Sequence, residues 1–380
     1  MVKFAQRTEW SLTTNKVTEV LQELKKNGVS VLDLTASNPT QCGFAYPKDM
    51  LKGLSSERNF QYEPEAQGLF KAREAVSRYY WQRGFKVSPD QIFLTSSTSE
   101  GYSYLFRLLA NPGDTVFFPR PSYPLFQFLS ELNDVHMKTY HPNDGCLGGY
   151  FCKEAKVIVV VNPNNPTGLF VQNQELEQIN AFCMQNQRAI ICDEVFWDYA
   201  FENQERPISL VDNTNVLTFV LGGLSKTLGL PQMKLSWIVM NGPDDLVKEA
   251  KARLELIADT YLSVNTPAQN ALANWFASAE EIQQKIKERV LKNLEFLKKK
   301  VQECEHVELL NAEGGWYSIL RVHNGEDEES FILSLLKEKH VLVHPGYFFD
   351  FNEESYYVIS LLPIEEIFQE GVVRMLEYKV

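Results

Sequence analysis

Four short stretches of the chain carry residue types that do chemistry when they are brought together. Leu224-Ser225-Lys226 follows an apolar run and the pair Gly222 and Gly223, and Lys234 stands eight residues beyond Lys226. A lysine in a turn, rather than on a solvated helix face, is a candidate amine nucleophile and proton carrier once its surroundings favour the neutral form. The plainer reading is a surface lysine in a loop. Residues 161–168 read VNPNNPTG, an Asn-rich turn at the end of an apolar run. Residues 191–194 (ICDE) place Asp193 at the end of another. Residues 95–101 (TSSTSEG) end a third run and open a helical pattern, which offers hydroxyls and free backbone N–H groups to a phosphate.

Each stretch sits at the junction of two elements. Candidate strands are 91–96 (QIFLTS), 115–119 (TVFFP), 155–162 (AKVIVVVN), 189–194 (AIICDE), 216–221 (VLTFVL) and 235–240 (LSWIVM). Several are nearly continuous apolar runs, as strands covered on both faces require. Helical patterns such as 101–110 and 174–186 alternate with them, so the spacing predicts an α/β domain with a mostly parallel sheet flanked by helices. In such a sheet the crevice beyond the carboxyl ends of the strands takes the ligand. After residue 277 the texture changes. A long charged amphipathic helix covers 279–300, followed by short strands at 316–322 and 357–362 and a closing helix from 364. A smaller α+β domain is expected from about 285. The helix pattern at 15–27 and strand at 29–34 are expected to pack with it, giving a large domain at 46–284 and a small one from 1–45 and 285–380.

Composition narrows the chemistry. The 380 residues hold 37 Lys and Arg against 49 Asp and Glu, a formal charge of −12, so the chain lacks the basic footprint of a nucleic-acid binder. No apolar run reaches the roughly 18 residues of a membrane span, and the first residues show no apolar secretory segment. Cys42, Cys146, Cys152, Cys183, Cys192 and Cys304 form no CxxC pair, and the six His form no HExxH. A metal-free, cytoplasmic protein with reduced thiols is expected.

Taken together, the TSSTSEG, VNPNNPTG, DEV and SK-x7-basic stretches resemble the fold-type-I pyridoxal-phosphate enzymes, specifically the class I/II aminotransferase family, from about residue 31 onward. The resemblance implies a role for each residue. Lys226 would be the Schiff-base lysine and the acid and base at the substrate Cα. Asp193 would pair with the pyridine nitrogen, Asn165 would donate to the ring oxygen, and Tyr123 would stack on the ring, unless it is only a loop tyrosine packing on its own domain. Ser97, Thr98, Ser99, Ser225 and Lys234 would hold the phosphate. Tyr62, in QYEPEAQG, would reach the phosphate of a neighbouring subunit, making a homodimer with shared sites. Ser263 and Asn265 could also reach across, although helix capping explains such residues more often.

The resemblance has gaps. Lys234 stands where the family usually has Arg, which loses the bidentate fork. Gly223 replaces a serine, Phe196 replaces a tyrosine that bonds to the ring oxygen, and Val358 replaces the arginine that clamps the substrate carboxylate. Arg120 and His344 are candidate substitutes, with Arg374 a helix-surface residue. The function implied is transfer of an amino group from an amino donor to a 2-oxo acid. A β-eliminating lyase, a decarboxylase on the same cofactor and an inactive homologue are the alternatives. With Val358 apolar, common α-amino acids are expected to bind weakly.

Overall fold

The computed structural model describes residues 2–142, 154–201, 207–323, 327–351 and 355–378; Cys146 and Cys152 lie outside them. The chain opens with α1 (Lys16–Lys26) and the two-residue strand β1 (Leu32–Asp33), then α2 (Phe70–Gln82). The alternating region follows: β2 (Ile92–Thr95), α3 (Thr98–Leu109), β3 (Thr115–Pro119), α4 (Phe126–Leu132), β4 (His136–Tyr140), β5 (Ala155–Val161), α5 (Asn173–Asn186) and β6 (Ala189–Asp193). It continues with β7 (Thr218–Gly223), the single turn α6 (Leu224–Thr227), β8 (Ser236–Asn241), α7 (Asp244–Tyr261) and α8 (Thr266–Ala277). After α9 (Ala279–Gln302) come β9 (Val307–Leu309), β10 (Tyr317–Val322), α10 (Glu328–Lys339), β11 (Val341–Leu342), β12 (His344–Pro345), β13 (Tyr356–Ser360) and α11 (Glu365–Leu376).

The expected α/β architecture is present. Seven strands form one sheet in the order β2-β8-β7-β6-β5-β3-β4, parallel except for β8, which runs antiparallel to both its neighbours. The inner strands β3 and β7 are buried at every position, because helices cover both faces and neither face has a polar residue to spare. A four-stranded antiparallel sheet, β12-β13-β10-β9, and the parallel pair β1-β11 build the second layer system. The amphipathic α9 buries Ile282, Ile286, Val290, Leu294, Leu297 and Val301 at helical spacing. Its buried Asn293 donates to the carbonyls of Leu361 and Pro363 at 2.9 Å each.

Where element ends depart from the sequence expectation, local chemistry explains the shift. The helix expected from 101 begins at Thr98, because the Ser97 side chain caps it by accepting from the Glu100 N–H at 3.1 Å. The strand expected over 29–34 shortens to β1, whose only strand partner is β11. Strand β4 escaped the apolar search because it is an edge strand, HMKTY, with alternating exposed residues.

A buried polar link fastens α2 to the segment after β6. Asp198 accepts from Arg83 Nε at 2.6 Å and from the Tyr79 hydroxyl at 2.7 Å, and Arg83 also donates to Gln283 on α9 at 3.2 Å. Removing one member of a buried ion pair leaves the other charge unpaired and desolvated. Asp198→Ala should therefore lose about 3 kcal/mol of stability, read as a lower denaturation midpoint in urea, while Arg253→Ala, whose pair with Glu249 is exposed, should be nearly neutral.

Candidate active site

Lys226 and Asp193 converge at the carboxyl ends of β7 and β6, where strand β7 runs into the single turn α6. Burial lowers the Lys226 amine from its ordinary 10.5 to about 8, against the opposing pull of the Asp193 charge. The ammonium lies 5.1 Å from the Trp316 ring centre and 5.4 Å from that of Phe196. Two aromatic faces can attract the ammonium but supply no acceptor comparable with water, so the neutral amine gains relative to the charged one. The Tyr199 hydroxyl donates to the Lys226 carbonyl at 2.9 Å and fixes the turn below the side chain.

Asp193 is the complementary group. Burial pushes its carboxyl up from 3.8 to about 6. The Val195 N–H and the Tyr102 hydroxyl, each at 3.1 Å, and the Lys226 charge pull the other way. A carboxylate so placed is stabilised by any cation presented to it. Its sequence neighbour Glu194 has a different task. It accepts from the Ser209 hydroxyl at 2.6 Å and the Leu210 N–H at 2.7 Å inside the fold, and burial pushes it up to about 7.

The Asn-rich turn sorts its own members. Asn162 donates to the Ile208 carbonyl and accepts from the Val171 N–H, and Asn164 accepts from the Thr167 hydroxyl and donates to the Pro121 carbonyl. Asn165 alone of the three keeps a buried oxygen, Oδ1, without a hydrogen-bond partner. Gly168 closes the turn at φ +71°, and a Cβ there would fall 2.3 Å from the Gly314 carbonyl. That close approach brings the turn against the segment leading to Trp316.

The remaining sequence candidates fall as follows. Tyr123 is 40% exposed with its ring against Phe126, and its hydroxyl is pushed up first by burial and then by nearby Tyr317 and Asp193. Ser97 caps α3 by accepting from the Glu100 N–H, which leaves its O–H to donate, and the hydroxyls of Thr98 and Ser99 have no hydrogen-bond partner among the described residues. Ser225 sits partly buried beside Lys226. Lys234 is exposed in a left-handed turn, next to Leu235, whose carbonyl accepts from the Leu224 N–H at 3.1 Å. Tyr62 is 70% exposed. Asn265 caps α8 by accepting from the Ala268 N–H, and the Ser263 hydroxyl donates to Glu100 at 2.7 Å.

Val358 is fully buried, paired with Ile319 and His344 across the small sheet, in an apolar cluster with Phe349. Neither proposed substitute cation is available there. Burial lowers His344 to about 4, leaving it neutral near pH 7. Arg120 donates to the Asp350 carbonyl at 2.6 Å and faces the Asp350 carboxylate at 3.7 Å. Arg374 pairs with Glu370 along its own helix at 2.8 Å.

Sequence reasoning missed Trp316 and Tyr102. Trp316 was visible only as the start of a strand, and Tyr102 as one aromatic among several on α3. The sole signal for Tyr102 is its helical spacing of four from Thr98, which puts both on one face.

Comparison with known proteins agrees with this geometry. The profile of the family "Aminotransferase class I and II" matches residues 29–363. The glutamate-pyruvate aminotransferase AlaA of Haemophilus influenzae is 25% identical over 374 residues, covering 93% of this chain and 92% of that protein. An alanine aminotransferase of Mycobacterium tuberculosis is 26% identical over 361 residues, covering 90% and 83%. The structure of an alanine aminotransferase from Pyrococcus furiosus superposes with a TM-score of 0.90 at 23% identity, covering 99% of both chains. No helix among the described residues is long and apolar enough to cross a membrane. With the family profile spanning both sheets and every element of the crevice, the chain belongs to the class I and II aminotransferases.

Proposed function

We propose that this aminotransferase binds pyridoxal 5'-phosphate at Lys226 and moves an amino group from an amino donor to a 2-oxo acid. The observation that carries the reading is the pair of opposed environments, an amine lowered to about 8 beside a buried carboxyl raised to about 6. The residues present fit that cofactor. Asp193 is a buried carboxylate whose charged form a protonated pyridine nitrogen would stabilise. Asn165 keeps an unpaired amide oxygen that marks a polar partner still to come, its O and N being interchangeable by a flip. Thr98, Ser99 and the N-terminus of α3 offer donors to a phosphate. Once bound, the cofactor supplies an electron sink that lets the substrate Cα release a proton. Lys226 takes and returns that proton, Asp193 holds the ring nitrogen charged, and Tyr123 covers the ring face. Phe196 offers no hydroxyl to the ring oxygen, which leaves that contact to Asn165.

The same reading takes the chain as a cytoplasmic homodimer. Tyr62 and Phe60 project from the segment before α2, 70% and 92% exposed, as residues meant for a second copy would. The thiols of Cys42, Cys183 and Cys192 are free and buried. The separate seven-stranded and four-stranded sheets support a reading of a large domain at 46–284 and a small one from 1–45 and 285–380.

Three measurements test this. Borohydride reduction of the loaded protein, followed by denaturing mass spectrometry, should place the cofactor on the Lys226 peptide; label on another lysine overturns the assignment. The sign of the pH dependence follows from the amine, which attacks only when neutral. Attachment of pyridoxal phosphate to the apoprotein should accelerate as pH rises through about 8 and then level off. Acceleration continuing to 10.5 would mean that Lys226 behaves as a solvated lysine.

Asp193→Ala should still bind the cofactor but lose roughly three orders of magnitude in turnover, about the 4 kcal/mol of one strong electrostatic contact. Near-normal turnover contradicts its role.

Carboxylate recognition gives a further test. Without a paired guanidinium, a substrate carboxylate forgoes a charge-assisted contact of roughly 3 kcal/mol, or about a hundredfold in affinity. Alanine, glutamate and aspartate should therefore saturate poorly, and Arg120→Ala should change KM by less than about threefold because Arg120 already faces Asp350. Tight saturation by all three acids would show that another group pairs the carboxylate. Release of pyruvate and ammonia without amino transfer would favour the lyase alternative.

A further inference from the structure

The edge of the sheet beneath α3 holds a hydroxyl that no role so far uses. Ser236, the first residue of β8, is 2% exposed, and its hydroxyl has no hydrogen-bond partner among the described residues. It pairs across the sheet with Gly223 on one side and Thr95 on the other. A Cβ built on Gly223 would fall 2.3 Å from Ser236 Oγ, so the serine hydroxyl occupies the space into which a residue-223 side chain would grow. That space lies under the start of α3. Gly101 sits over Leu221 and Ile238, its Cβ position 3.1 and 3.5 Å from their side chains. Gly223 and Ser236 are two residues from Leu221 and Ile238 and so share their face of the sheet. Three residues before Gly101, at the next strand level, α3 begins at Thr98. Thr95, the other partner of Ser236, turns its hydroxyl onto the Ser97 carbonyl at 3.0 Å and leads directly into that helix.

We infer that Ser236 is an anion-binding residue, which with Thr98 and Ser99 takes the phosphate monoester of the cofactor and replaces a hydroxyl that Gly223 cannot supply. The identity of the anion rests on the aminotransferase reading; the placement of the hydroxyl does not. Side chains at both positions compete for one space: a Cβ at 223 would fall 2.3 Å from Ser236 Oγ and 3.0 Å from its Cβ, so the serine hydroxyl would have to turn away. In this chain β8 has it. A hydroxyl without a protein partner keeps its O–H available to an acceptor, and a phosphate oxygen is a strong acceptor.

The test compares pyridoxal phosphate, pyridoxal and inorganic phosphate as ligands of the apoprotein, with dissociation constants read from quenching of tryptophan fluorescence. Ser236→Ala should weaken pyridoxal phosphate roughly tenfold, the size of one hydrogen bond to a charged group, and leave pyridoxal within twofold. Inorganic phosphate should compete with pyridoxal phosphate less well in the variant by a similar factor. The exchange Gly223→Ser with Ser236→Gly should restore most of the affinity, because it returns one hydroxyl to the same space, whereas Gly223→Ser alone should lose affinity or fold poorly. An unchanged ratio of the two dissociation constants in Ser236→Ala, or equal loss of both ligands, overturns the inference while leaving the aminotransferase reading in place. Failure of the wild-type protein to bind pyridoxal phosphate at all would overturn that reading as well.

Discussion

An amine and a carboxylate, each shifted by burial toward neutral pH, share one desolvated crevice, and the surrounding structure sets that balance. A solvated lysine with a pKa near 10.5 is neutral in roughly one molecule in three thousand at pH 7, whereas one lowered to about 8 is neutral in roughly one in ten. Aromatic walls achieve this cheaply, because Phe196 and Trp316 exclude water without adding charge. The same dryness would protonate Asp193, and the structure counters that with two donors, Tyr102 and the Val195 N–H. Each shift is therefore a balance between burial and a few placed dipoles rather than a product of burial alone.

Holding that balance requires elements that arrive from distant parts of the chain. Strand β6 brings Asp193, β7 and its turn bring Lys226, α3 brings Tyr102, and the segment before β10 brings Trp316. The parallel order of β5, β6 and β7 places their carboxyl ends side by side, which is why the reactive groups cluster there. The connection between β9 and β10, which carries Trp316, is held against the Asn-rich turn where Gly168 approaches Gly314, a spacing that only a residue without a side chain permits.

Much of this was legible in the sequence because it obeys local rules. The buried strands announce themselves as apolar runs, and the turns that follow them carry Lys226, Asp193 and Asn165 at recognisable spacings. What was not legible depends on tertiary neighbours. Asn162, Asn164 and Asn165 look alike in VNPNNPTG, and only the hydrogen bonds reveal that two are consumed by the turn while one is left unpaired. Arg120 and His344 looked like free cations until their surroundings showed one facing Asp350 and the other neutralised by burial. Edge strand β4 and the start of α3 were misread for the same reason, since exposure and capping are properties of neighbours.

Two departures from the family pattern have opposite physical characters. At Gly223 the missing hydroxyl has a neighbour in Ser236 on the adjacent strand, which under the inference above would preserve the site's donor count while changing its backbone origin. At Val358 the described residues show no comparable substitute: the position is closed by Ile319 and Phe349, and the imidazole of His344 opposite it is held neutral. A buried apolar cluster cannot be converted to a carboxylate site by a small movement, because a charge entering it would need both a partner and a path for solvent. On the reading proposed above, the two departures would differ in kind: the cofactor site would keep a hydroxyl donor on another strand, and the substrate site would exchange a directional, charged contact for packing.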